Sequence, residues 1–168
     1  QKGMTYFIKA AKQIHDAFPN VRFLVVGDGP KKAELEAESL ALGLDKVVIF
    51  TGYRSDVREI VHLMDVQAFP SLWEGTPITV FEAMAAGRAM VSTSVDGLGE
   101  VLEDGKSALI VEPADADQLA KAITAILKDS ILRDSLQEGA RIQSQNFDIS
   151  RTVRNLESLY EELYVRSN

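Results

Sequence analysis

The sequence predicts an α/β fold built on a doubly wound parallel sheet, and three features of the chain lead to this prediction. Short apolar runs bounded by Gly or Pro alternate repeatedly with segments of helical spacing, which is the pattern of βαβ units. The apolar runs are continuous rather than alternating, as in strands that are buried on both faces. The chain has 168 residues, of which 46% are hydrophobic, and a chain of this size supports one full core.

The first half of the chain contains three predicted strands separated by helices. Apolar residues at helical spacing end before Pro19, and "VRFLVVGDGP" follows as a buried strand closed by Gly and Pro. Gly43 stops the next helix, and Pro70 ends the third strand because a central strand needs that amide donor. In order, these elements are a helix ending before Pro19, a strand within 21–30, a helix over 31–42, a strand over 46–52, a helix over 55–65 and a strand over 66–71.

The second half continues with a helix, two strands and then helices only. The helix begins near Pro77 and stops at Gly87, two residue types that suit the start and the end of a helix. The segments "AMVSTS" and "SALIVEP" are strand-like, and the remaining apolar residues recur at helical spacing. In order, these elements are a helix over 77–86, strands over 89–94 and 107–113, and helices over 116–129, near 131–145 and from Ile149 to Leu163.

One strand of a Rossmann-like sheet is missing from this order. A dinucleotide-type sheet begins with a strand that precedes the first helix, whereas this chain opens directly on its first helix. We therefore treat residues 1–168 as a single Rossmann-like domain with C-terminal helices. We expect the upstream sequence of a longer protein to supply the absent strand.

Composition narrows the possible classes of function. The chain has no Cys, which excludes disulfides and thiolate metal sites and favours a reducing compartment such as the cytoplasm. Its formal net charge of −7 argues against a nucleic-acid surface, so we expect no nucleic-acid partner. No run of about 18 apolar residues is present, and the N-terminal residues show no signal-peptide pattern.

The stretch "SLWEGTPITVFEAMAAG" places a carboxylate on a helix that is otherwise apolar. Thr76 is the predicted N-cap of this helix. The stripe that we expect to pack consists of Ile78, Phe81 and Ala85. Glu82 falls within about 40° of Ile78 around the helix, and a carboxylate beside a packed stripe is costly unless a partner satisfies it. Hydroxyl groups of a bound sugar are suitable partners, because a carboxylate accepts two hydrogen bonds.

The start of the same helix is a candidate phosphate site. The amides of Ile78 and Thr79 lie at a helix N-terminus, which attracts phosphate oxygens, and Glu74 in the preceding loop reaches a second hydroxyl-bearing group. Ribose, diphosphate and hexose are the three parts of a nucleotide-sugar, so this pattern predicts a nucleotide-sugar site. Two alternatives stay open: Glu82 faces solvent, or the two glutamates form the acid and base of a glycosidase.

A resemblance to a known family adds to this interpretation. The segment "EGTPITVFEAMAAG", followed by "GEVLEDGKSALIVEPADADQLAKAI", resembles the retaining glycosyltransferases of family 4. The similarity is to the C-terminal, nucleotide-sugar-binding domain of their two-domain GT-B fold. The E-x7-E spacing of Glu74 and Glu82 matches the signature of that family. The segments "QKG", "VVGDGP" and "FTGYRSDV" match as well, in the order of the family domain.

The resemblance implies roles for individual residues. Lys2 contacts the diphosphate and Glu74 holds the donor sugar or its phosphates, so these two are the expected catalytic residues. A partner arginine normally lies a few residues upstream of this lysine, and the chain lacks it. Glu82 binds the ribose hydroxyls. The other expected nucleotide-sugar-binding positions border the base or line the phosphate path: Tyr53, Arg54, Gly75, Thr76, Pro77, Ile78 and Thr79. From its place in a strand-to-helix turn, Gly27 is also expected to border the nucleotide with its backbone.

The chain departs from the family pattern at three places. Residues 87–89 read Gly-Arg-Ala where Gly-x-Pro is usual, and Ala108 stands where Gly is frequent. Two glycines usually precede the position of Glu100, where this chain has Asp96 and Gly97. We expect Asp96 to narrow the donor-sugar pocket, so the resemblance does not fix the identity of the sugar.

The reaction that the resemblance implies is transfer of a hexose from a nucleoside-diphosphate sugar to a saccharide or lipid-linked acceptor. We expect no metal and no other cofactor, and Asp115 of the D-x-D at 115–117 is interpreted as a helix cap. The acceptor sits mostly on an N-terminal domain that this chain lacks, and that domain is the expected protein partner. The expected location is cytoplasmic, with contact to the inner face of a membrane through the other domain as the alternative.

Two further functions remain open. One is a nucleotide-sugar epimerase of the same two-domain fold, which would release an isomer of the donor instead of a glycosylated acceptor. The other is a binding module without turnover, which we expect of the isolated 168 residues, because the cleft of a GT-B enzyme needs both domains.

Overall fold

A computed structural model of the protein describes residues 1–167, apart from the side chains of Val165 and Ser167. Within these residues, strands and helices alternate up to the last strand, after which the chain is helical. In chain order, the elements are α1 (Met4–Ala17), β1 (Phe23–Val26), α2 (Lys32–Ala41), β2 (Val48–Gly52), α3 (Val57–Leu63), β3 (Val66–Phe69), α4 (Ile78–Ala85), β4 (Ala89–Thr93), α5 (Asp96–Gly99), β5 (Leu109–Val111), α6 (Ala116–Lys128), α7 (Ser130–Ser144), a short 3-10 helix (Gln145–Phe147) and α8 (Ile149–Ser167).

The strands pair in parallel, which confirms the predicted fold class, but they form two sheets. In the first sheet β1 pairs with β2, and Leu24 lies opposite Ile49. In the second sheet β4 lies between β3 and β5, and Val91 is opposite both Ala68 and Leu109. All five residues of β4 are buried, because neighbouring strands and helices cover it on every side.

The two sheets are β1–β2 and β3–β4–β5, and a doubly wound order puts the break between them at β1 and β3. In the doubly wound order, the strand that precedes the first helix occupies this position, between the second and the fourth strands. The chain enters α1 at the carboxyl end of β3, where the Leu72 amide donates to the carbonyl oxygen of Gln1 (2.8 Å). The break is therefore where a strand before α1 would lie, and its supply by upstream sequence stays a prediction.

Gly3 holds the start of α1 against the loop that follows β3. Its φ of 62° is in the left-handed region, which a residue with a side chain adopts only at a cost. A Cβ atom added there would lie 1.8 Å from the carbonyl oxygen of Pro70. Only glycine brings the first residues of the chain this close to the loop.

Two apolar clusters hold the layers together. The larger one packs α1 and α6 against the strands, and its members Ile8, Ile14 and Ile126 are at most 1% exposed. The smaller one joins α4, α5 and α7 around Met84 and Leu98. The smaller cluster therefore supports two of the elements that border the candidate site.

The predicted elements are present, and α5 and the short 3-10 helix were not predicted. α5 comprises four residues, which is too short for a periodic pattern. The predicted last helix is α8, whose apolar residues Val153, Leu156 and Leu159 remain exposed. Within residues 1–167, no helix combines the length and the apolar character that crossing a membrane requires.

The larger cluster gives a first testable prediction. Ile126→Ala should lower the free energy of unfolding by about 2–5 kcal/mol, because it leaves a cavity where the side chain is fully buried. Ile131→Ala is the matched control, since Ile131 is 82% exposed, and its effect should stay within about 0.5 kcal/mol. Urea denaturation followed by circular dichroism measures both. Equal losses in the two variants would contradict this account of the core.

Candidate functional site

The loop between β3 and α4 (residues 70–77) carries Glu74 to the carboxyl end of the second sheet. The Thr93 hydroxyl, at the end of β4, donates to the carbonyl oxygen of Ser71 at 2.6 Å. Both Thr93 and Ser71 are buried. This hydrogen bond fixes the loop to the edge of the sheet at which ligands of open α/β proteins bind.

The two expected catalytic residues lie together beside this loop. The Lys2 ammonium donates to Oε2 of Glu74 at 2.7 Å, although 72 positions separate the two residues in the chain. The Ser71 hydroxyl contacts the same oxygen at 3.3 Å. The side chain of Glu74 is 11% exposed and that of Lys2 is 59% exposed. The carboxylate is thus held within the protein, while the positive charge remains accessible from solvent.

The start of α4 differs from the predicted capping. The N-cap is Pro77, which has an extended backbone, and no side chain caps the helix. Thr76, the predicted cap, instead directs its hydroxyl to the carbonyl oxygen of Gly97 at 3.5 Å. The amides of Ile78 and Thr79 have no acceptor among residues 1–167, and both residues are exposed. These free N–H groups at a helix N-terminus suit an anion.

The packed face of α4 is also not the predicted one. The buried stripe is Val80, Ala83 and Met84, whereas Ile78 is 73% exposed. Apolar residues of α4 lie on all sides of the helix, so periodicity alone does not select the face that packs against the rest of the protein. Glu82 shares the open face with Ile78 and is half-buried, and its side chain has no hydrogen-bond or ion-pair partner in the described part of the chain. Glu82 is therefore an unused acceptor on the open face and not a charge forced into packing.

A second group of predicted residues lies at the carboxyl ends of β1 and β2. The Gly27 amide donates to the carbonyl oxygen of Gly52 at 3.0 Å, which brings the turn after β1 next to Tyr53. Tyr53 is 81% exposed. Arg54 Nε donates to Asp56 Oδ1 at 2.7 Å, and this hydrogen bond raises the pKa of Arg54 and lowers that of Asp56. Within residues 1–167, no hydrogen bond or ion pair links this group to the lysine–glutamate pair.

Three residues that organise the loop were missed in the sequence: Ser71, Thr93 and Gly97. The only sequence signal for Thr93 is a hydroxyl residue at the end of a predicted strand, and such a residue often bonds a neighbouring loop. The Ser71–Glu74 contact spans only three positions, so this spacing was the local signal that could have found Ser71. Nothing local indicates that Gly97 contacts this loop, because that contact depends on how distant segments pack.

Asp96, which the sequence places in a loop before Glu100, is the first residue of the unpredicted helix α5. It is exposed at the rim of an open pocket of about 300 Å³, which also borders Thr93 and Ile110. The narrowing of a donor-sugar pocket by Asp96 stays a prediction.

The D-x-D at 115–117 caps a helix, as interpreted from the sequence. Asp115 Oδ1 accepts a hydrogen bond from the Gln118 amide at 2.8 Å, and this bond lowers the pKa of Asp115. Asp117 accepts from the Gln13 side chain at 2.7 Å. Among residues 1–167, no three His, Cys, Asp or Glu side chains converge on a common point.

A family model described as "Glycosyl transferases group 1" matches residues 1–129 of the chain, a span that contains Lys2, Glu74 and Glu82. The chain belongs to this family. The loop, the ion pair and the free start of α4 described above are therefore features of a group 1 glycosyltransferase domain.

Named relatives in the group 1 family are longer than this chain. The chain is 29% identical to an alpha-D-kanosaminyltransferase from Streptomyces kanamyceticus, over 97% of this chain and 43% of the relative. It is 28% identical to the UDP-Gal:alpha-D-GlcNAc-diphosphoundecaprenol alpha-1,3-galactosyltransferase from Escherichia coli, over 98% of this chain and 43% of the relative. The chain thus spans less than half the length of these two relatives. Both are named as transferases, which does not favour the epimerase alternative.

Solved structures of group 1 relatives match the fold. Anabaena HepE in complex with UDP-glucose has a TM-score of 0.88 and 27% identity, over 96% of this chain and 45% of HepE. The C-terminal domain of LpcC, a group 1 family protein from Francisella tularensis, has a TM-score of 0.78 and 29% identity, over 86% of this chain and 78% of that domain. The fold is therefore one half of a GT-B glycosyltransferase.

The buried bond between β4 and the loop gives a second testable prediction. Thr93→Val keeps the shape of the side chain but leaves the Ser71 carbonyl oxygen without its donor, so it should lower the free energy of unfolding by about 1–3 kcal/mol. It should also speed amide hydrogen exchange within residues 70–77. Thr152→Val, on an exposed part of α8, is the control. Unchanged exchange in the loop would show that Thr93 does not hold it.

Proposed function

We propose that this chain is the C-terminal, donor-binding domain of a retaining family 4 glycosyltransferase that moves a hexose from a nucleoside-diphosphate sugar to an acceptor. The observation that carries the proposal is a juxtaposition. The Lys2–Glu74 ion pair joins the start of the chain to the loop that leads directly into α4. At the start of α4, the amides of Ile78 and Thr79 are free, and Glu82 follows on the open face of the same helix.

In this proposal the diphosphate binds between Lys2 and the start of α4. The net charge of the chain is −7, so the long-range field does not attract an anion, and local donors have to hold it. The free amides of Ile78 and Thr79 and the accessible ammonium of Lys2 are such donors. They stabilise negative charge that develops on the departing diphosphate, which is the main electrostatic contribution expected of the site.

The two glutamates orient the donor. Glu82, whose side chain has no partner within the described residues, accepts hydrogen bonds from the ribose hydroxyls. Glu74, fixed by Lys2 and Ser71, lies beside the donor sugar or its phosphates. In the reaction the bond from the anomeric carbon to the diphosphate oxygen breaks. The acceptor hydroxyl oxygen forms the new bond, and one proton and the nucleoside diphosphate are released. Orientation of this kind lowers the barrier by fixing the reacting atoms in advance.

The second group of residues accommodates the other end of the donor. The turn at Gly27 and the exposed Tyr53 and Arg54 lie at the carboxyl ends of β1 and β2, and the base is proposed to lie there. UDP and UDP-glucose are the ligands named for the Anabaena HepE structures, which supports a nucleotide-sugar donor here. The LpcC domain, described as C-terminal, supports the same position for this domain.

The rest of the enzyme is proposed to lie outside this chain. An N-terminal domain would hold a saccharide or lipid-linked acceptor and close the cleft over the donor, without a metal or another cofactor. The Escherichia coli relative is named for an acceptor on diphosphoundecaprenol, which supports an acceptor of the lipid-linked class. We further propose a cytoplasmic location, with the other domain as the part that meets a membrane.

The ribose contact gives a third testable prediction. Glu82→Gln should weaken binding of UDP or GDP roughly tenfold or more, because a charge-assisted hydrogen bond contributes about 1.5–3 kcal/mol. Isothermal titration calorimetry against UDP, GDP and their glucose and mannose derivatives measures the effect and identifies the base.

Glu38→Gln is the matched control for this measurement. Glu38 is also half-buried on a helix and has no side-chain partner in the part of the chain that the structure describes. It lies in the C-terminal half of α2, the end of the helix that leads to the start of β2. The proposed site lies at the opposite, carboxyl ends of the strands. Affinity that is the same in Glu82→Gln as in the unaltered protein would return Glu82 to the solvent-facing interpretation.

The isolated chain gives a fourth testable prediction. These 168 residues should bind a nucleotide-sugar but transfer no labelled sugar to added acceptors, because one half of a cleft neither holds the acceptor nor excludes water. Product analysis after incubation with radiolabelled UDP-glucose measures this. Detectable glycosylated product would contradict the need for a second domain, and an isomerised donor would favour the epimerase.

A further inference from the structure

Gly97 lies against the backbone of the loop that carries Glu74. A Cβ atom added at Gly97 would lie 2.0 Å from the carbonyl oxygen of Gly75, 2.3 Å from its carbonyl carbon and 3.0 Å from its Cα. Gly75 directly follows Glu74, so the contact joins α5 to the loop at the residue next to the ion pair. All three nearest atoms belong to backbone, and no side-chain rotation relieves such a contact.

α5 is anchored more firmly than the loop that it touches. Leu98 is 1% exposed and Val95 is 8% exposed, and both belong to the apolar cluster shared with α4 and α7. On the other side of the contact, Gly75 and Thr76 are exposed. A side chain at position 97 would therefore displace the loop, because moving α5 would disrupt buried packing.

We infer that Gly97 is a positioning residue for the proposed donor site. The absence of a side chain at this position lets α5 support the Gly75 peptide, and this support sets where the Glu74 carboxylate lies relative to the free amides of α4. The inference rests on the proposed function, since a positioning role has meaning only if these groups bind a common ligand. The weak Thr76 hydroxyl contact to the Gly97 carbonyl oxygen (3.5 Å) joins the same two segments.

A displacement of about 1 Å follows from the geometry. Non-bonded carbon and oxygen atoms do not approach to 2.0 Å, so the Gly75 carbonyl would have to retreat until the separation reaches roughly 3 Å or more. Misplacement of binding groups by about 1 Å is enough to cost on the order of a hundredfold in function. The affinity for a nucleoside diphosphate should fall accordingly.

The chain offers two matched controls for Gly97→Ala. Gly99→Ala lies in the same short helix, where an added Cβ meets no atom within 4 Å, so it controls for the loss of glycine in α5. Gly139→Ala introduces a clash with an equally short nearest contact elsewhere, because its Cβ would lie 2.0 Å from the carbonyl oxygen of Lys106. It controls for a general loss of stability.

The experiment combines thermal melts, amide spectra by NMR and calorimetric titration with UDP and GDP on the full chain. Gly97→Ala should shift the amide resonances of residues 74–79 in the free protein and weaken binding of the preferred nucleotide by about tenfold or more. Gly99→Ala should bind within about twofold of the unaltered protein. Gly139→Ala should melt at a lower temperature yet bind nearly as well.

The outcomes separate this inference from the proposed function. Unchanged resonances at 74–79 in Gly97→Ala, or binding equal to that of Gly99→Ala, would overturn the positioning role while leaving the donor site intact. Failure of the unaltered chain to bind either nucleotide would overturn the proposed function, and with it the role of Gly97. If Gly97→Ala does not melt cooperatively, the test is an NMR titration of the unaltered protein. UDP or GDP should then shift the amide resonance of Gly97 together with that of Gly75. A Gly97 amide resonance that does not shift on nucleotide binding would refute the inference.

Discussion

The ion pair between Lys2 and Glu74 is the contact on which the arrangement of the site depends. It ties the first residues of the chain to a loop 72 positions away. The lack of a side chain at Gly3 lets these residues lie against the Pro70 carbonyl, close to that loop. Because Glu74 is largely enclosed and Lys2 is not, the pair fixes the position of the ammonium without hiding its charge. An acidic chain thereby keeps one accessible cation beside the free amides of α4, where an anion would otherwise meet mainly repulsion.

The loop that bears Glu74 is constrained from three independent directions, although half of its residues are exposed. Thr93 holds it from the end of β4, the Gln1 carbonyl oxygen accepts a hydrogen bond from its Leu72 amide, and Gly97 supports it from α5. Rigid support beneath an open surface is what a binding loop requires, since its groups must be placed in advance and still reach a ligand. The extended Pro77 then turns the chain into α4 without a side-chain cap, so the first amides stay free.

The sequence predicts the elements of this fold well because the strands are short, continuous apolar runs that end at Gly or Pro. It also indicates Glu74 and Glu82 from their places in the loop and the helix, whereas Lys2 is indicated only by the resemblance. The prediction of the packed face of α4 was wrong, because most residues of this helix are apolar and periodicity does not select one face. Contacts with α7 and the sheet bury Val80 and leave Ile78 exposed. Thr93 and Gly97 were beyond local patterns for the same reason, since each acts through a partner that only tertiary packing brings near. Ser71 differs, because its hydroxyl reaches Glu74 only three positions away.

The break between the two sheets explains why the candidate residues form two groups. The turn at Gly27 and Tyr53 ends the first sheet, and the Lys2–Glu74 pair ends the second. Both groups lie at carboxyl ends of parallel strands, so they share one side of the molecule, and a ligand with a base at one end and a diphosphate at the other could reach both. A strand between β1 and β3 would continue directly into Gln1 and Lys2. Such a strand would hold the Lys2 backbone in place, while the ion pair with Glu74 fixes the ammonium at the end of the side chain.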